Sequence, residues 1–94
     1  MKKYKRQVNN KIRGAFGMID ESERTIAINK KRHKNKQALK KIPKKDRPMI
    51  NTIVHEEAHA AHPGMTERGV RKFARRKVSK ISRKEKNKLY QRYQ

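Results

Sequence analysis

A chain of 94 residues, 32% of them hydrophobic, has the size of one domain with a modest core, and folds this small often rely on a metal or a partner for stability. With no cysteine present, disulfides and thiolate metal sites are excluded, so any metal must be held by His, Asp or Glu. The formal charge of +21, from 29 Lys and Arg against 8 Asp and Glu, opposes compaction and attracts polyanions, so contact with DNA or RNA through a basic surface is one expectation.

Residues 1–11 are polar and basic and read as a frayed start or a short helix. The segment from Ile12 to Asn29 then carries a hairpin signature: an apolar run ending at Ile19, turn-like residues from Asp20 to Glu23, and alternation from Arg24 to Asn29. Ile26 and Ile28 are placed on one face, and Thr25, Ala27 and Asn29 on the other. Gly14 and Gly17 weaken the first strand and suggest a bulge or bend.

A basic loop at 30–36 contains His33, which reads as a surface residue. A short helix over 37–42 is stopped near Pro43. Asp46 is the expected N-cap of the next helix, about 47–62, with Pro48 in its first turn. Ile50, Ile53, Val54, Ala58 and Ala61 recur along it at helical spacing, and Pro63-Gly64 ends it. Thr66 caps a further helix whose inner stripe is Val70, Phe73, Ala74 and Val78. Ser82 with Glu85 forms a capping box for a last short helix bearing Leu89, Tyr90 and Tyr93, so 79–94 is expected to be a basic helical segment. No run of residues approaches the roughly 20 apolar positions of a membrane span. The basic start lacks the apolar core of a secretory signal, so a cytoplasmic location is expected.

The chemistry lies in His55-Glu56-Glu57-Ala58-His59. Histidines four apart leave one face of a helix one turn apart and can converge on one ion. A glutamate beside the first can reach a water on that ion without ligating it, which is the logic of HExxH. With this composition, roughly 0.01 chance matches are expected.

Three protein ligands and an open position suit catalytic zinc. His62 shares the helix face, but three ligands on one straight helix rarely close around one ion. Glu67 lies beyond the Pro63-Gly64 break and can return from a new direction, so it is favoured as third ligand, with His62 as the alternative. Glu57 points elsewhere and reads as solvated. The basic outer face of the helix after Glu67 is assigned to Arg71, Arg75 and Arg76, among others.

The TIAIN strand, the HEEAH helix and the HPGMTE opening of the next helix resemble the minimal single-domain, gluzincin-like zincin metallopeptidases over roughly residues 12–78. The HEEAH element is the specific part. A more distant resemblance is to SprT-like proteins, which act on protein attached to DNA; their later ligand histidine has no counterpart here. The first resemblance implies His55, His59 and Glu67 as metal ligands, Glu56 as catalytic base, zinc as cofactor, and Thr25–Asn29 as the edge strand that lies antiparallel to substrate. No tyrosine or histidine can be assigned to the oxyanion. Tyr90 and Tyr93 are candidates to cover the cleft.

The resulting expectation is an α+β fold. A small antiparallel hairpin or sheet packs on an active-site helix and one or two following helices, with the metal between helix and hairpin. The expected activity is zinc-dependent hydrolysis of peptide or protein substrates, with Glu56 as general base to a metal-activated water. The alternative is a basic nucleic-acid-binding protein with a structural zinc site.

Overall fold

In a computed structural model, residues 3–12 and 14–93 are described. The expected segments 1–11 and 79–94 include residues 1, 2 and 94, which lie outside that range. The architecture is α+β, with strands β1 (Lys5–Val8), β2 (Gly17–Asp20) and β3 (Thr25–Ile28) followed by helices α1 (Lys36–Lys40), α2 (Met49–Ala61), α3 (Glu67–Lys80) and α4 (Arg83–Gln91). Two helices follow the motif helix, as the sequence pattern requires.

The hairpin forms where expected. Asp20 accepts from the backbone N–H groups of Ser22 and Glu23 and from the Ser22 hydroxyl, a side chain standing in for a turn. Arg24 takes a left-handed backbone at φ 53°, and β2 returns antiparallel to β3 with Gly17 opposite Ile28 and Asp20 opposite Thr25.

The sheet differs from expectation at its other side. Lys5–Val8 is a strand, neither a frayed start nor a short helix, and pairs in parallel with β3, Lys5 opposite Thr25 and Val8 opposite Ile28. The sheet order is therefore β1-β3-β2. This makes Thr25–Ile28 the central strand and overturns its assignment as the substrate-binding edge. The burial agrees: Ile26, Ala27 and Ile28 are all buried, as expected for a strand with neighbours on both sides. Strand pairing between residues 5–8 and 25–28 leaves no local periodicity, so the sequence pattern misses it.

Ile26 and Ile28 meet Ile53 of α2 in one core cluster, and Tyr93, also fully buried, completes it from the far end of the chain. Tyr93 lies beyond the end of α4 and does not line the cleft beside His55 and Glu56. A second cluster joins Ile50 and Val54 of α2 to Ala74 of α3, with Val78, Ile81, Leu89 and Tyr90 against it.

Caps set the helix starts. Asn35 accepts from Gln37 and Ala38 at α1, Thr66 from Gly69 at α3, and Ser82 from Glu85 at α4. Asp46 does not cap α2. Pro48 occupies the N-cap position, while Asp46 sits in the preceding 3-10 turn and accepts from Arg75 of α3 at 2.8 and 3.1 Å. A guanidinium in reach offers two charge-assisted bonds, more than one backbone N–H provides. That ion pair ties α3 to the segment entering α2.

Glu57 is also placed differently from expectation. Its carboxylate is not solvated: it accepts from Arg6 of β1 at 2.7 and 2.9 Å, from Arg92 at 2.9 Å and from the Tyr93 hydroxyl at 2.8 Å. Burial pushes the Glu57 carboxyl up, but the Arg6 and Tyr93 hydrogen bonds and the two arginine charges outweigh it and hold it below its ordinary value. One side chain of α2 thus clasps both ends of the described chain. Glu57→Ala would leave the buried Tyr93 hydroxyl and Arg6 without their acceptor. It is expected to cost about 2–3 kcal/mol, discounted for the partial exposure of both arginines. Urea unfolding of parent and variant above pH 5 would measure it; a loss under about 0.5 kcal/mol, the range of an ordinary surface change, would refute the clasp.

Candidate functional site

α2 presents His55 and His59 one turn apart, and α3 returns across them after the turn at Pro63-Gly64. The return is held by packing of Val54 and Ile50 against Ala74 and by the Asp46–Arg75 ion pair. Glu67, the first residue of α3, is thereby set over both imidazoles. Its Oε1 lies 2.7 Å from His55 Nε2 and its Oε2 lies 2.7 Å from His59 Nε2. The two Nε2 atoms are 3.2 Å apart, and one ligand atom from each residue lies within 4.8 Å of the others.

This donor set fits a metal ion. Two nitrogens at zinc–imidazole distances and a tetrahedral angle stand about 3.3 Å apart, close to the spacing that the helix imposes here. Imidazole nitrogens with one carboxylate oxygen suit several first-row divalent ions, zinc included. Burial is the main cause that holds His55 below its ordinary pKa, with the Glu67 carboxylate pulling the other way. A neutral imidazole is the form that binds metal. Burial, the largest single cause, raises Glu67, but the charges and hydrogen bonds of the two histidines together outweigh it and its carboxyl lies below its ordinary value, so it is an anion at neutral pH.

Glu56 lies next to this cluster and is buried, 9% exposed. Among the described residues nothing donates a hydrogen bond to its carboxylate. Burial, only partly offset by His59, pushes its pKa up to about 7. A carboxyl near neutrality with no fixed partner can accept and return a proton.

The cleft beside it, about 240 Å³, is walled by Phe16 and Gly17 of the hairpin, Thr52, His55 and Glu56 of α2, and Arg71 of α3. The helix-and-hairpin cleft of the sequence reading thus has α3 as a third wall. Gly17 is needed for close approach rather than for a bulge: a Cβ there would stand 2.8 Å from Thr52 Cγ2 and 3.1 Å from Glu56 Cγ.

β2, not β3, is the sheet edge at this cleft. The Asn29 N–H donates to the Phe16 carbonyl at 2.8 Å. Antiparallel pairs alternate, so Met18 and Asp20 face β3, and the N–H and C=O groups of Gly17 and Ile19 point to the open side.

His62 is not brought into the cluster; it is the exposed C-cap of α2 and packs edge-on against Phe73, 5.3 Å between centroids. His33 is half-buried rather than a freely exposed surface residue. Its ring lies 4.7 Å from Phe16, its Nδ1 is 3.2 Å from the Arg47 carbonyl, and burial lowers its pKa.

Arg71 is the site residue that sequence reasoning missed, placing it on the outer face of α3. It is exposed, but one turn after Glu67 it also lines the cleft beside His55 and Glu56, and no carboxylate pairs with it among the described residues. The i, i+4 relation to Glu67 is the signal that could have located it.

No helix of the described residues is long and apolar enough to cross a membrane. Comparison with known proteins finds no matching family model, characterised relative or solved structure.

Proposed function

We propose that this chain is a zinc-dependent metallopeptidase of the HExxH type. The observation that carries the reading is the convergence of His55, His59 and Glu67 on one point, with the buried, unpartnered Glu56 beside them. Zinc held by these three residues would supply an activated water and polarise the scissile carbonyl. Glu56 takes a proton from the attacking water and delivers it to the departing amine as the C–N bond breaks. The open backbone groups of Gly17 and Ile19 hold an extended substrate against β2 by strand addition. Arg71 attracts acidic residues of that substrate into the cleft. Metal content of the refolded chain, with cleavage of a broad peptide library by parent and Glu56→Gln, tests the reading. A zinc-loaded parent that cuts nothing in the library would sink the peptidase assignment.

One observation favours a second reading, a basic nucleic-acid-binding protein with structural zinc. With Arg75 bound to Asp46 and Arg71 in the cleft, the outward side of α3 still carries Arg68, Lys72 and Arg76, all exposed and free of carboxylates among the described residues. Such a face contacts phosphates without reading bases. Changing these three to Gln is expected to flatten the log–log salt dependence of duplex binding by about 2–3, one per lost phosphate contact. Zinc binding should not change. A filter-binding titration would check it, and an unchanged slope would remove α3 from any such interface.

A further inference from the structure

α3 separates two depressions. Its one flank, with Glu67, Arg71 and Arg75, faces the metal-ligand cluster; its other flank carries Phe73, Lys77 and Lys80. Phe73 and Lys77 line a cavity of about 610 Å³ floored by Val54, Ala58 and Ala61 of α2 and walled by Leu89 of α4. The space has a local cause: Ala58 and Ala61 end at Cβ, so nothing on this stripe of α2 fills the gap between α3 and α4. A shallower depression of about 290 Å³ continues past Phe73 to Ile81, and the two share Phe73, Lys77 and Glu85. Together they form a trough running between α3 and α4.

Its floor is apolar and its banks are cationic. Phe73, expected on the inner stripe of α3, is instead 37% exposed and adds its ring to the apolar lining. Arg76, Lys77, Lys80 and Lys88 have no carboxylate partner among the described residues. Of the two acids at the trough, Glu57 is occupied by Arg6, Arg92 and Tyr93, which leaves Glu85 alone against four cations.

We propose that this trough docks an acidic amphipathic helix of a partner protein. An elongated groove with an apolar floor receives apolar side chains at i, i+3, i+4 and i+7, and its banks then pair with flanking carboxylates. A nucleic acid has no use for the apolar floor. A second copy of this chain brings +21 of like charge. The inference is independent of the metal site.

The test uses the full chain and a fluorescent peptide of about 18 residues, five helical turns, with leucines at those positions and glutamates elsewhere. A scrambled peptide of the same composition controls for charge. At about 150 mM salt, where exposed charges are screened within about 8 Å, the amphipathic peptide is expected to bind at least about tenfold tighter than the scrambled one. Lys77→Glu with Lys88→Glu, and separately Phe73→Ser, are expected to weaken it by about tenfold or more. Arg68→Glu with Lys72→Glu, the same charge change on the outer side of α3, should cost less than about threefold. All five positions are exposed, and circular dichroism confirms that the variants fold. Equal affinity for the scrambled peptide, or equal losses from the two charge-reversed pairs, would reduce the trough to diffuse charge and overturn the proposal. So would a DNA duplex whose binding is lost through Lys77→Glu with Lys88→Glu but kept through Arg68→Glu with Lys72→Glu.

Discussion

One equivalent of zinc is expected to raise the melting temperature of the chain on the order of 15 °C or more, and Glu67→Ala, His55→Ala or His59→Ala to remove most of that rise. Binding at a thousand times Kd stabilises the folded state by about 4 kcal/mol. For a domain of this size each kcal/mol moves the midpoint by about 4–8 °C. The ligand atoms already lie within 4.8 Å of one another, so little ordering is required on binding. The Glu67 carboxylate lies 2.7 Å from the Nε2 atom of each imidazole. His62 packs on Phe73 instead, and His62→Ala is expected to leave the zinc-induced shift intact. Differential scanning calorimetry with and without a chelator measures the effect. Loss of the shift in His62→Ala but not in Glu67→Ala would reverse the ligand assignment, and no shift in the parent would remove the metal centre altogether.

Glu56→Gln is expected to keep zinc and to lower peptide hydrolysis by about 10²–10⁴-fold, the usual worth of a positioned general base. The change preserves shape and removes only the titrating oxygen. It also has a signature that needs no substrate. In the metal-free protein the Glu56 carboxyl is pushed up to about 7, chiefly by burial, from an ordinary value of 4.5. Between those two pH values the folded chain holds a proton that the unfolded chain has released. This group's contribution to stability therefore falls as pH rises through that window, by on the order of 3 kcal/mol in all.

His55 acts in the opposite direction. Its folded pKa lies below 6.5, so just under that pH the unfolded chain holds the extra proton and raising pH adds stability. The difference between parent and variant cancels the histidine and isolates the carboxyl. Glu56→Gln should gain on the parent as pH rises from about 4.5 to about 7, with a chelator present. Parallel stability curves would show that Glu56 titrates normally, and wild-type hydrolysis by the variant would take it out of the mechanism.

The parts of this molecule legible in its residue order are those that depend on local spacing. Histidines at 55 and 59 share a face of any helix that includes them, and the apolar stripe of Ile50, Val54 and Ala58 makes that helix bury its other side. Pro63-Gly64 stops α2 because a helix cannot continue through it, and the chain reversal that follows makes Glu67 a better candidate than His62 to meet the two imidazoles. The caps at Thr66 and Ser82 are equally local, each a side-chain oxygen satisfying a backbone N–H three residues on.

Only the tertiary structure decided the rest, because each remaining feature joins residues far apart in the chain. β1 adds to β3 across a gap of 20 residues in register, which turns the expected edge strand into the centre and hands the open edge to β2. Glu57, read as solvated, is clasped by Arg6 and Arg92, and Asp46, read as a cap, by Arg75. Long-range charge pairs leave no periodicity in a chain where 39% of residues are charged, so any acid has many possible partners. Tyr93 enters the core because a chain with 5% aromatic residues has few large side chains with which to fill it.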